Sequence, residues 1–344
     1  MTSLEAIRRL PKVQLHCHLE GTVQPATFRE LAARYGVDIG GRGRGPLAET
    51  YAFATFGEFL LLFAEVCKVL RTPDDFSRLA REYALGAIAE GVVYAEVFVS
   101  PSVWTFFHPD LDVRDVVGAM RSAFDDVSRQ HGLEVALIAD LTRNFGPDRA
   151  LESARQAASL QDLGVIGIGL GGDEARFPPE LFVDAFDAAR RAGLRLVAHA
   201  GEAAGPASVR GAIDRLGVDR VGHGVRALED DALVGELARR RIALEVCPTS
   251  NRRTGAVPPG ARHPIGELAE RGVMCAIDAD DPALFGATLC GEYAAVGALV
   301  GEGALEDFAR NSIDASFASE AKKAELRRAL DAYSAEYALA RRTH

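Results

Sequence analysis

PELFVDAFDAARRAGLRLVAHAGE, residues 179–202, decides the fold. Its first part, PELFVDAFDAARRAG (179–193), carries apolar residues at helical spacing and closes on Gly193 at a helix C-cap position. Its second part, RLVAHAGE (195–202), is a short apolar run that ends in polar residues, the signature of a buried strand. A helix handing over to a strand is half of a repeating α/β unit, and the same alternation runs through the chain. The strand-like runs are KVQLHCH (12–18), VVYAEVFVS (92–100), EVALIADL (134–141), VIGIGLGG (165–172), RLVAHAGE, RVGHGV (220–225), IALEVCPTS (242–250) and VMCAIDADD (273–281). Amphipathic stretches such as EDDALVGELARRRI (229–242) lie between them. Eight strands alternating with helices predict a (β/α)8 TIM barrel. A doubly wound open sheet would want a Gly-rich dinucleotide turn after its first strand, and none follows KVQLHCH.

Two additions to a minimal barrel stand out within what reads as a single domain, 1–344. A helical insertion at about 24–91 reads as helices near 25–35, 56–70 and 74–90 around a Gly/Arg-rich loop, GGRGRGP (40–46). Placed after the first strand, it should lie over the strand C-termini as a substrate lid. The tail, 303–340, reads as two further helices packed on the barrel.

The composition excludes several classes of function. The 344 residues carry a net charge of −10 and no basic run, which argues against a nucleic-acid or anionic-membrane surface. No apolar stretch is long enough to span a bilayer, and the N-terminus lacks the apolar core of a signal peptide. Five scattered cysteines (17, 67, 247, 275, 290) make neither a disulfide framework nor a metal knuckle. A cytoplasmic protein with reduced thiols is expected.

In such a barrel, functional side chains emerge where strands end. His16 and His18 end the first strand, His199 the fifth, His223 the sixth, and Asp280 and Asp281 the eighth. Each alone has an ordinary explanation as a strand-edge, turn or helix-capping residue, but all converge on one mouth. Histidines with a carboxylate form a nitrogen-rich, sulfur-free donor set, which suits zinc with one position left for water. Zinc lowers that water's pKa and supplies a hydroxide nucleophile. None of the four lysines (Lys12, Lys68, Lys322, Lys323) lies where it could bridge two ions, so one Zn2+ per chain is expected. His108, His131, His263 and His344 fall on loops or helices and receive no role (His344 lies outside the residues described below).

The motifs LPKVQLHCHLEGT, EGVVYAEVFVSP, GLGGDE, AHAGEAAGP, VGHGVRALED, EVCPTSN and DADDPALF, in this order, resemble the adenosine deaminase family of the amidohydrolase superfamily along nearly the whole chain. The resemblance implies that His16, His18, His199 and Asp280 bind zinc. It implies that Glu202 is the proton donor, while His223 and Asp281 position water and substrate. It also implies substrate contacts from His18, Glu20 and the backbone of Gly172. Deaminating a 6-aminopurine means adding hydroxide at C6 while the adjacent ring nitrogen is protonated, a task for a glutamate kept protonated by burial.

Two positions depart from the family pattern. Many adenosine deaminases carry Asp where this chain has Glu20, and Asp278 stands where an uncharged residue is usual. A carboxylate at position 20 suits hydrogen bonding to ribose hydroxyls, so a purine nucleoside, adenosine or 2′-deoxyadenosine, is the expected substrate. The alternatives are adenine and 5′-modified adenosines such as 6-aminodeoxyfutalosine, and, in another class, a non-catalytic zinc-barrel binding protein.

Overall fold

The computed structural model describes residues 3–342. Strands β1 (Lys12–Gln14), β2 (Val92–Val99), β3 (Glu134–Thr142), β4 (Val165–Gly171), β5 (Arg195–Ala200), β6 (Arg220–His223), β7 (Ala243–Val246) and β8 (Cys275–Ile277) lie side by side in sequence order. Each pairs in parallel with the next. The ring is drawn together beyond β1 and β8, where Asp280 N donates to His16 O (3.0 Å) and His18 N to Asp280 O (2.9 Å). This is the expected TIM barrel. Helices cover the outside, so strand residues such as Val97, Ile138, Ile168, Leu170 and Val221 are fully buried. Burial on both faces is why the strands read as nearly continuous apolar runs.

The strands that carry the polar cluster stop earlier than the sequence pattern predicts. β1 ends at Gln14 and β8 at Ile277 because the Asp278 carboxylate replaces a backbone partner, accepting from Leu15 N (2.6 Å) and His16 N (3.0 Å). β7 gives way at Pro248, which begins the helix Pro248–Arg253. Likewise PELF forms a 3₁₀ turn, and the regular helix runs only Val183–Arg191.

The insertion contains helices Pro25–Tyr35, Phe56–Cys67 and Pro73–Ala89. The last begins with a capping box between Thr72 and Asp75. The Gly/Arg-rich loop is braced from below. The Arg29 guanidinium donates to the carbonyls of Arg42, Arg44, Gly45 and Pro46, and Arg42 donates to those of Thr50 and Ala52. The tail forms helices Leu305–Ala315 and Glu320–Arg342. Among the described residues, no helix is long and apolar enough to cross a membrane.

Candidate active site

All six polar residues placed at strand ends by the sequence meet at one mouth of the barrel. His18 Nε2 lies 3.1 Å from His199 Nε2, and Asp280 Oδ1 lies 3.4 Å from His16 Nε2 and 3.5 Å from His18 Nε2. His16, His199, His223 and Asp280 can each offer an atom within 4.8 Å of the others, as can His18, Asp280 and Asp281. The other ring nitrogens of two of these histidines are committed: His16 Nδ1 donates to Glu245 Oε2 (2.8 Å) and His199 Nδ1 to Leu170 O (3.1 Å). Their Nε2 lone pairs therefore face the cluster, and His16 Nε2 is buried without a hydrogen-bond partner. Burial opposes a charge on His16, but the carboxylates of Asp280 and Glu245 beside its ring favour one and hold it well above the ordinary histidine range. The centre is built for a positive charge, which suits a metal ion.

The backbone is strained there. His223 (φ 60°) and Asp280 (φ 62°) adopt the left-handed conformation that non-glycine residues avoid, at a cost of about 1–3 kcal/mol each. Gly172 has φ 101°, and a Cβ on it would lie 2.5 Å from Asn144 Oδ1. A Cβ on Gly21 would lie 1.9 Å from Asp281 Oδ1. Both positions require glycine.

A cavity of about 400 Å³ opens over the cluster, bounded by His18, Gly172, His199, Glu202, His223, Asp280 and Asp281. Its roof is the helix Phe56–Cys67, which contributes Phe56, Leu60, Leu61 and Phe63. The insertion thus contributes part of the cavity wall. Phe106, Phe107 and Phe145 extend the apolar wall.

Glu202 is buried at the end of β5. Burial pushes its carboxyl up to about 8, helped by the charges of Asp280 and Glu174. Its loop is held by Glu174, which the sequence reading quoted within GGDE without assigning it work. Glu174 Oε1 accepts from Gly201 N (2.6 Å), and Oε2 accepts from Glu202 N (3.1 Å), Ala203 N (2.7 Å) and Ala204 N (2.9 Å). Asp281 is pushed well above the usual carboxylate range, by burial and then by the charge of Asp280.

Glu20, expected from the resemblance to contact substrate, lies apart from the cavity lining. It is fully buried behind the cavity and does not form part of its wall. Its Oε1 accepts from Trp104 Nε1 (2.6 Å) and Ser100 N (2.8 Å). The extra methylene, relative to Asp, lets the carboxylate reach the indole. Asp278 turns onto the β1 segment and meets no arginine among the described residues, and burial pushes it up to about 7.

Asp140, at the end of β3, escaped the sequence reading altogether. It lies in the cavity wall, 6% exposed, with Oδ1 buried and unpartnered among the described residues. Burial pushes it up to about 8. Below the cluster runs a charged chain. Glu245 Oε1 accepts from Arg220 Nε (2.5 Å), and Arg220 Nη1 pairs with Glu96 Oε2 (2.7 Å). Glu96 Oε1 accepts from Phe317 N (2.5 Å), and the Phe317 ring lies against the guanidinium (3.7 Å). One glutamate inside each of the otherwise largely apolar strands β2 and β7 was the available signal.

Comparison with known proteins agrees with this arrangement. The profile of the family described as "Adenosine deaminase" matches residues 11–333. The chain is 39% identical over 316 residues to an adenine deaminase of Streptomyces coelicolor, covering 91% of this chain and 92% of that protein. It is 37% identical over 295 residues to an aminodeoxyfutalosine deaminase of Acidothermus cellulolyticus, covering 84% and 82%. Among solved structures, an adenine deaminase from Arthrobacter aurescens superposes with a TM-score of 0.88 at 33% identity, covering 94% of this chain and 99% of that one. A zinc-bound amidohydrolase from B. ambifaria superposes with a TM-score of 0.89 at 31% identity, covering 100% and 95%.

Proposed function

The chain belongs to the adenosine deaminase family, and on that premise we propose that it hydrolyses the 6-amino group of adenine, releasing ammonia. His16, His18, His199 and Asp280 are the proposed holders of one zinc ion. The unpartnered His16 Nε2 and the His18–His199 approach fit a cation at their centre. Bound there, zinc would supply the Lewis acidity that activates water.

The chain's own residues do the rest. The observation that carries the reaction class is Glu202: a buried carboxyl beside the cluster, 3.5 Å from His223, whose burial favours its protonated form. It can protonate the ring nitrogen next to C6 as water adds there. Gly172 lets the purine lie close to the backbone. Asp281 accepts or shares a proton with a ring nitrogen, and His223 faces the attacking oxygen.

For the substrate, the reason to expect adenosine was a carboxylate facing the sugar, and Glu20 faces Trp104 instead. Asp140 adds a buried carboxyl where a free base could use its extra ring N–H, a donor that a nucleoside lacks. The relatives named adenine deaminase support the same reading. The apolar wall of Phe106, Phe107 and Phe145, reaching beyond what a bare purine fills, favours a second reading: an adenosine with an aromatic 5′ group such as aminodeoxyfutalosine. The test is kcat/KM of the zinc-loaded enzyme on adenine, adenosine, 2′-deoxyadenosine, AMP and aminodeoxyfutalosine. Adenine should lead by about tenfold or more, which is about 1.4 kcal/mol of differential transition-state binding. A comparable lead for adenosine or aminodeoxyfutalosine overturns the adenine assignment. No turnover of any of them by metal-loaded protein overturns the enzyme reading.

A further inference from the structure

His223 could serve the reaction in two opposite ways. An Nε2 lone pair would take a proton from the attacking water, whereas an Nε2–H would donate to the oxygen as negative charge builds. The choice depends on which ring nitrogen carries the proton. A buried chain of hydrogen bonds, starting from a backbone group whose role is not in doubt, settles it.

Ile265 N–H lies 3.2 Å from His263 Nδ1. A backbone N–H can only donate, so Nδ1 accepts. His263 is 4% exposed, and burial lowers its pKa to about 4, so it is neutral and carries its proton on Nε2. That nitrogen lies 3.3 Å from the Asn251 side-chain oxygen and donates to it. The amide orientation is thereby set, and Asn251 Nδ2, which can only donate, lies 3.1 Å from His223 Nδ1. His223 Nδ1 accepts, and the His223 proton sits on Nε2. There it faces Glu202 Oε2 (3.5 Å) and Asp280 Oδ2 (3.9 Å). Asn251 is fully buried and His223 is 1% exposed, so water does not compete for these bonds.

His16 and His199 have the opposite arrangement, with Nδ1–H engaged and Nε2 bare. The contrast separates roles that distance alone leaves mixed, since His223 sits as close to Asp280 as a ligand would. We propose that His263 and Asn251 are positioning residues that lock His223 as the Nε2–H tautomer, so that His223 is a hydrogen-bond donor to the attacking oxygen and neither its base nor a metal ligand. This rests on the proposed reaction only in identifying the oxygen. The tautomer itself does not depend on it.

Nitrogen NMR of isotope-labelled histidine in the zinc-loaded enzyme tests this, with the His223 signals assigned by their loss in His223→Gln. The expected pattern is a bare, accepting Nδ1 and a protonated Nε2. A protonated Nδ1, or a metal-shifted Nε2, overturns the proposal in the unmodified protein, whatever the variants do. Asn251→Asp replaces the donor with a group that can only accept, which should draw the proton to Nδ1. The nitrogen pattern should then invert while zinc is retained, and kcat should fall about a hundredfold with KM little changed. His263→Gln, which can still donate to Asn251, should keep the pattern and most of the activity; His263→Leu should not. An inverted pattern at undiminished kcat overturns the donor role. The expected spectrum in a protein that deaminates no purine upholds the tautomer and removes the reaction assigned to the site.

Discussion

Replacing Glu174 with Gln tests how the proton donor is held. The side chain keeps its size and burial but loses one acceptor. Three of the four backbone N–H groups point at Oε2 and one at Oε1. The best placement of the amide therefore puts its oxygen at the Oε2 position, keeping the bonds from Glu202, Ala203 and Ala204 in weaker, uncharged form. Its NH2 group then faces the N–H of Gly201, donor against donor. A hydrogen bond to a charged group is worth about 1.5–3 kcal/mol, and a buried N–H left unmade costs a similar amount. Placed entirely on the geometry of Glu202, that loss corresponds to about a tenfold to 150-fold fall in kcat/KM. Steady-state kinetics on adenine, with zinc content measured in parallel, provides the assay. The variant should retain its metal, because Glu174 touches neither a histidine of the cluster nor Asp280. Activity within twofold of the parent, with an unchanged urea midpoint, would refute the view that this carboxylate holds the donor's loop.

Two other substitutions follow from the same geometry. Glu202→Gln should retain zinc and lose kcat by at least about a hundredfold, because proton transfer is lost from the transition state. In the parent, activity should fall as pH rises through about 8, since Glu202 is raised by burial and must be protonated to act. An unchanged basic limb in the kcat profile would assign the proton to another group. Glu20→Asp should destabilise the fold by about 1–3 kcal/mol, as the shortened carboxylate leaves the buried Trp104 N–H and Ser100 N–H unpaired. The adenine-to-adenosine ratio of kcat/KM should stay the same, and a shift of about tenfold would return Glu20 to the substrate.

What the chain discloses before it folds follows the reach of its local rules. Buried parallel strands and amphipathic helices write their period into neighbouring residues, so the barrel, the insertion and the tail were legible. His199 and His223 could be placed because each ends a recognisable strand. What the sequence did not disclose depends on partners distant in sequence. The partners of Glu20 could not be read locally, because the backbone leaves β-geometry after Gln14 and the side chain is held by Trp104. Glu174 acquires its work from a loop beginning at Gly201, His263 from Asn251, and Asp140 from the glycines of the next strand. None of those pairings has a sequence period.

The chain from Phe317 through Glu96, Arg220 and Glu245 to His16 has a consequence for how the protein is made. His16 is synthesised some three hundred residues before Phe317, yet the carboxylate that orients its ring is itself oriented by Arg220, whose guanidinium rests on that phenylalanine. Asp278 and Asp280 impose the same delay from the other side of the seam. Domains generally fold as units, with the N-terminal part available first during synthesis. Here that early part cannot complete its ion seat alone. A nascent or prematurely terminated chain has His16 and His18 without the means to aim them, so hydrolytic competence arrives only once Phe317 has been made and docked.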